Sequence, residues 1–291
     1  MDNSETELNN ENREIFKIAD DFLEKFNNLN PLTASEEGFS DYDDQIGDLS
    51  PLANDDTATL AKNTIKLLRI RPPKNENEEL CSDVLSDYCK DIVNEYETLD
   101  YLRGISFIDN PLDSIHVSAL NIDFSSKHAR ESLALKISRI PDALKSYKET
   151  LLFAKHKKAL PRQRQIIRMI GNCNQYAAEP LFQNSLAPAA FIDFQKFLKT
   201  KILNSTIERD AVGIEHYKRS AGRHLGKEID VYETYLWGFE EVRTILREAD
   251  TVAAKITPGE GYLAAVNYLE SDPEYILNTP AELRSFLKIL I

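Results

Sequence analysis

The longest regular pattern of apolar positions in the chain runs from Val231 to Ile256. Apolar residues recur there at steps of three and four, the spacing that places side chains on one face of an α-helix. Asp230 is a suitable N-cap with Glu233 three residues later, and Pro258-Gly259 ends the pattern. At ~1.5 Å per residue the stripe is about 39 Å long, so we predict a central helix around which the other helices pack. Its apolar positions are Val231, Tyr235, Leu236, Phe239, Val242, Leu246, Ala249, Ala253 and Ile256.

The same periodicity continues along most of the chain and predicts an all-α fold, a multi-helix array of about ten helices. Residues 1–10 are polar and are predicted to form a disordered tail, whereas residues 11–291 are predicted to form a single helical domain. A helix is expected at about 78–103, with Leu80, Val84, Leu85 and Tyr88 among its inward positions.

Proline and the end of the chain give two further predictions. The pair Ile140-Pro141 is expected to divide residues 127–156 into two helices, because proline lacks the backbone N–H that continues a helix. Thr279-Pro280 caps a final helix, but no stop signal precedes Ile291, so the pattern indicates a helix that is truncated at the C-terminus.

Composition and charge narrow the class of protein. A hydrophobic content of 42% and a charged content of 29% are typical of a globular domain, and only 10 glycines argue against a turn-rich β fold. The formal net charge of -13 argues against nucleic acid or an anionic membrane as a partner. One basic cluster, Lys155 to Arg168, has no interleaved aromatic residues for base stacking, and positive charge at a helix C-terminus explains most of it.

The chain shows no targeting or membrane-spanning pattern. It contains no run of eighteen apolar residues, and its first residues are polar and acidic, unlike a signal peptide. Cys81 and Cys89 would lie about 12 Å apart along one helix, too far for a disulfide, and Cys173 has no partner nearby in the sequence. These features predict a cytoplasmic protein.

The histidines do not form a recognisable zinc motif. Catalytic zinc is usually held by two histidines on one helical face, with a glutamate between them. None of the five histidines has that spacing, and the nearest helical pair, His216 and His224, is eight residues apart. We therefore interpret the histidines as surface or capping residues: His116, His128, His156, His216 and His224.

Other catalytic and binding motifs are also missing. The acidic segment from Asp41 to Asp48 has Ile46 where an EF-hand needs its glycine, so we interpret it as a loop that caps helix ends. Cys173 has no nucleophile motif around it, and the chain contains no phosphate-binding loop. We predict no catalytic, metal-binding or cofactor-binding residue in this chain.

Several segments together resemble a known family. Residues 232–241 read YETYLWGFEE, and residues 210–217 before them read DAVGIEHY. Closer to the N-terminus the chain carries Asn30-Pro31, then Tyr42-Asp43, then Asp48-Leu49-Ser50-Pro51. In combination these segments are similar to the first half of a bacterial family of unknown function, numbered 885, whose members look like helical zinc metallopeptidases.

The resemblance implies zinc-dependent peptidase activity for the whole family, but this chain contains only part of what that activity requires. The family's metal-binding residues, His-Glu followed by Pro-Gly-His-His, have no counterpart in these 291 residues. The chain is therefore expected to be the non-catalytic half of a metallopeptidase-like protein, with zinc only in the missing C-terminal half. The expected partner is that half or a peptide. The alternative is a free-standing helical interaction module without enzymatic activity.

The family comparison also suggests residues that line a peptide cleft. Tyr235 and Trp237 of the long helix, and Tyr42 of the Tyr-Asp motif, are the candidates. Aromatic residues at helical spacing more often belong to a core, so the spacing alone favours the core over a cleft.

Overall fold

The computed structural model describes residues 13–103, 110–122 and 125–290. Within these ranges the chain forms twelve α-helices with short 3-10 and π-helical segments and no strand, which confirms the predicted all-α multi-helix array. The predicted disordered tail and Ile291 lie outside the described residues. The chain divides into two compact units, Met1–Val212 (the first unit) and Gly213–Ile291 (the second unit), where the sequence predicted one helical domain.

The described part of the first unit contains eight α-helices, and side-chain caps and prolines fix where several of them begin. The side chain of Asn75 accepts a hydrogen bond from the Glu78 N–H, and that of Ser126 accepts one from the Ala129 N–H. A π-helical segment, Leu198–Ile202, follows the last helix. The helices are α1 (Glu14–Leu29), α2 (Pro31–Glu36), α3 (Pro51–Ile70), α4 (Glu76–Thr98), α5 (Pro111–Leu120), α6 (Lys127–His156), α7 (Gln163–Ala177) and α8 (Ala187–Phe197).

The core of the first unit is built mainly around α6. Leu144 and Leu151 of α6 pack in one cluster with Ile115 of α5, Ile166 of α7 and Phe194 of α8. A second cluster joins α1, α3 and α4 through Ile15, Phe22, Ala61, Leu68, Leu85 and Cys89.

Helix α6 is continuous, although Pro141 lies inside it, so the prediction of two separate helices was wrong. A proline within a helix costs about 3 kcal/mol. Ile137, Ile140 and Leu144 on either side of the proline are all buried. Because each buried side chain of this size contributes about 1.5–3 kcal/mol, burial of this face outweighs the cost of the proline.

The buried face of α4 also differs from the prediction. Leu80, Val84 and Tyr88 are exposed, whereas Leu85 is buried as predicted, together with Cys89. The buried carboxylate of Glu78 fixes this orientation, because it accepts hydrogen bonds from the backbone N–H groups of Ile15 (3.4 Å) and Lys74 (2.9 Å).

The second unit contains four α-helices: α9 (Ile214–Leu225), α10 (Val231–Ala253), α11 (Tyr262–Ser271) and α12 (Pro280–Leu290). Helix α10 is the predicted long helix, and Asp230 caps it by accepting hydrogen bonds from the N–H groups of Tyr232 (2.9 Å) and Glu233 (2.8 Å). The prediction that the other helices pack around α10 was wrong. The only buried residue of α10 is Ala253, so its apolar stripe is not packed inside a core.

Candidate docking surface

The second unit exposes most of its large apolar side chains. Its only buried residues in the described range are two alanines, Ala253 and Ala265. Eight large apolar side chains of α10 between Tyr232 and Leu246 are 41% to 69% exposed. Single exposed apolar side chains are ordinary, but so many large ones in a unit whose described buried residues are two alanines indicate an interaction site. We call the exposed apolar side chains of α10, α11 and α12 the docking surface: Tyr232, Tyr235, Leu236, Trp237, Phe239, Val242, Ile245, Leu246, Leu263, Val266, Tyr268, Leu283, Phe286, Leu287, Ile289 and Leu290.

A groove of about 530 Å³ lies on this surface between α9 and α10. The rings of Tyr235 and Phe239 meet edge to face with their centroids 4.9 Å apart. The Thr234 hydroxyl is already satisfied, because it donates to the Asp230 carbonyl at 2.7 Å. No charged side chain lines the groove, so it is suited to an apolar group. Its lining residues are Tyr217, Val231, Thr234, Tyr235, Gly238, Phe239 and Val242.

The three predicted cleft residues occupy different places. Tyr235 lines the groove, together with Tyr217 of α9. Trp237 is exposed but does not line the groove, because two residues along a helix turn a side chain by about 200°. Tyr42 belongs to the first unit, where its hydroxyl donates to Asn28 Oδ1 at 3.3 Å. Of the three, only Tyr235 therefore contributes to the groove.

The described residues do not bring a zinc site together. Within the described ranges, no group of three or more His, Cys, Asp or Glu side chains lies close enough to hold a metal ion. His116 is buried, with its ring stacked on that of Tyr176 at 4.0 Å and its Nε2 3.2 Å from a carboxylate oxygen of Glu179.

A buried network around Asp113 was not predicted from the sequence. Its carboxylate accepts hydrogen bonds from the side-chain amides of Asn110 and Asn172, each at 2.8 Å, and from the Tyr176 hydroxyl. Burial, and then this hydrogen bond to Asp113, raise the pKa of Tyr176. The i, i+4 pair Asn172 and Tyr176 is visible in the sequence, but nothing there indicates that Asp113 lies between them. We interpret the network as a set of hydrogen bonds that holds α5 and α7 together.

The acidic segment before α3 is tied to α6 by a buried lysine. Lys136 is 0% exposed and donates to the Ser35 hydroxyl at 2.8 Å, and Ser35 donates in turn to Asp43 Oδ1 at 2.7 Å. Burial lowers the pKa of Lys136, while the negative charge of Asp43 opposes that change. Asp44 forms an ion pair with Arg139 at 3.1 Å. These carboxylates therefore hold the segment against α6.

None of the described helices combines the length and the apolar character that crossing a membrane requires. The comparison with curated proteins gives no significant match.

A solved structure shares the fold of most of the chain. It is titled "The crystal structure of the putative lipoprotein from Colwellia psychrerythraea", and it superposes with a TM-score of 0.69 at 11% sequence identity. The similarity covers 94% of this chain but 57% of that one, so this chain spans little more than half the length of its structural neighbour. At this identity the likeness concerns the fold alone.

The family is established by sequence. A family model described as "Bacterial protein of unknown function (DUF885)" matches residues 31–288, far more than half of the chain. The resemblance seen in the segments around residues 30–51 and 210–241 is thereby confirmed at the level of the family. The chain belongs to the DUF885 family of bacterial proteins of unknown function.

Proposed function

We propose that this chain is the helical, non-catalytic part of a metallopeptidase-like protein. In this proposal the first unit is a scaffold with its own core. The second unit uses its docking surface to bind the polypeptide that supplies the rest of the protein, and together they form one side of a substrate cleft. Any zinc belongs to that other polypeptide.

The observation that carries the proposal is that residues 213–290 of the second unit bury no large apolar side chain. Fully burying one large apolar side chain is worth about 1.5–3 kcal/mol. The side chains of the docking surface remain exposed to water along α10 and along α12, where Phe286 is 46% exposed and Leu290 is 67% exposed. A polypeptide that covers this surface would gain much of that free energy on binding.

The structural neighbour supports the choice of partner. Its fold matches 94% of this chain, yet this chain accounts for 57% of the neighbour. The remaining part of the neighbour's polypeptide has no counterpart in the matched residues of this chain. We take the equivalent of that polypeptide as the occupant of the docking surface, in preference to a second copy of this chain or a free peptide.

The test begins with the DNA that follows codon 291. Its reading frames are translated, and the polypeptide encoded there is expressed as a separate chain and mixed with the 291-residue protein. We expect a one-to-one complex by light scattering, and loss of the fluorescence of a dye that binds apolar surface.

A matched pair of variants locates the contact. Phe286→Asp on α12 and Leu152→Asp on α6 place a charge on side chains of nearly equal exposure, 46% and 47%. Phe286→Asp should weaken the complex by about tenfold or more, because it buries an unpaired charge, whereas Leu152→Asp should leave the affinity unchanged.

Three results would overturn the proposal. The first is the absence of a downstream frame, or of any complex, which would favour a free-standing interaction module. The second is equal binding by the wild type and Phe286→Asp. The third is stoichiometric zinc in the purified 291-residue chain.

A further inference from the structure

Four residues of the groove have the spacing of a helix-packing site. Tyr235, Gly238, Phe239 and Val242 lie at positions i, i+3, i+4 and i+7 of α10, and all four line the groove. In knobs-into-holes packing, four residues at this spacing surround the hole that receives one side chain of a facing helix. A side chain of a facing α-helix can therefore occupy this site.

Gly238 makes this hole unusually open. Glycine within a helix weakens the helix relative to alanine. Gly238 does not have a positive φ, and a Cβ at this position would meet no atom within 4 Å. Neither the backbone conformation nor packing within the described chain requires a glycine here. The missing side chain leaves the backbone of α10 open to close approach by another chain.

The chemistry of the groove defines the side chain that enters it. The hole is bounded by two aromatic rings and a valine, and the neighbouring Thr234 hydroxyl is bonded to its own helix. A charged group placed there would lose its hydration without gaining an oppositely charged partner, because no charged side chain lines the groove. An aliphatic or aromatic side chain would gain contacts with both rings.

We infer that an α-helix of the docked polypeptide crosses α10 at Gly238 and inserts an apolar side chain among Tyr235, Phe239 and Val242. This inference rests on the proposed function, since it takes the same occupant, and it adds which element of that occupant makes the contact and where. It identifies Gly238 as the position that determines whether the facing helix fits.

The experiment places a leucine side chain in the hole and compares the effect on binding with that of the same substitution at a glycine outside the groove. The variants are Gly238→Leu in α10 and Gly171→Leu in α7, another helical glycine around which a Cβ would meet nothing within 4 Å. Affinity for the polypeptide encoded after codon 291 is measured by calorimetry, and far-UV circular dichroism checks that each variant is folded. Gly238→Leu should weaken binding by about tenfold or more, whereas Gly171→Leu should bind like the wild type.

The outcomes separate this inference from the proposed function. If the wild type binds and Gly238→Leu binds equally well, the helix does not cross at Gly238, while the proposed function stands. If the wild type does not bind, both fail. If Gly238→Leu instead abolishes self-association of the 291-residue chain, the occupant is a second copy and the inference is wrong.

Discussion

Helices α6 and α10 show how differently two similar apolar patterns can be used. Both are long amphipathic helices, of 30 and 23 residues. Eleven residues of α6 are buried, whereas Ala253 is the only buried residue of α10. Periodicity thus identifies the apolar face of a helix but does not say what covers that face. The apolar face of α6 packs against other helices of the first unit. We propose that the apolar face of α10 packs against another polypeptide.

The polar interactions of the two helices differ in the same way. Residues of α6 bond to distant parts of the chain: Lys136 donates to Ser35, and Thr150 donates to the Leu49 carbonyl at 2.6 Å. On α10 the hydrogen bonds of Arg243 and Thr244 both go to Glu240 of the same helix. Asp250 of α10 accepts a hydrogen bond from the Tyr262 N–H at the start of α11, at 3.0 Å. The α6 bonds join elements about 100 residues apart in the sequence, whereas this bond reaches only the next helix.

The largest expected effect comes from truncating one leucine in each helix. Leu144 of α6 is 1% exposed, and Leu246 of α10 is 41% exposed. Leu144→Ala should lower the free energy of unfolding by about 2–5 kcal/mol, because it leaves a cavity in a packed core. Leu246→Ala should change it by less than about 0.5 kcal/mol, as is usual for surface positions. Urea unfolding followed by far-UV circular dichroism measures both. A similar decrease in the free energy of unfolding in the two variants would contradict the difference between a buried α6 and an exposed α10.

A smaller effect should appear at alkaline pH, because the core of the first unit holds a buried thiol. Burial raises the pKa of Cys173 from an ordinary value of 9.0 to about 12. Between these values the unfolded chain has lost a proton that the folded chain still holds, so the free energy of unfolding falls as pH rises above about 9, by up to ~1.4 kcal/mol per pH unit.

Cys173→Ala should remove this contribution and make the decline with pH shallower. Urea unfolding between pH 8.5 and 10.5 measures the slope for both proteins. Identical slopes in the wild type and the variant would show that this thiol ionises as readily in the folded chain as in the unfolded one.

Much of the fold was predictable because it depends on local sequence. The all-α class, the start of α10 at its Asp230 cap and the start of α3 at Pro51 all follow from neighbouring residues. The continuity of α6 through Pro141 was not predictable in this way, because its cause is burial against other helices.

The candidate site was less predictable because it depends on what lies opposite each face. Tyr235 was identified from the sequence, but Tyr217 and Gly238, which complete the groove, were not. The apolar stripe of α10 has the same spacing as a core stripe, so the sequence could not show that it is exposed. The Asp113 network joins residues 59 and 63 positions apart, and no local pattern reveals such a pairing.

Amide hydrogen exchange of the 291-residue chain, followed by mass spectrometry, tests the central claim most directly. Without a core of its own, the second unit should open easily. Peptides from α10 should exchange on the order of 100-fold faster than peptides from Ile140–Leu151 of α6. Addition of the polypeptide encoded downstream should slow exchange in α10 and leave that of α6 unchanged. Protection of α10 equal to that of α6 in the isolated chain would contradict the account.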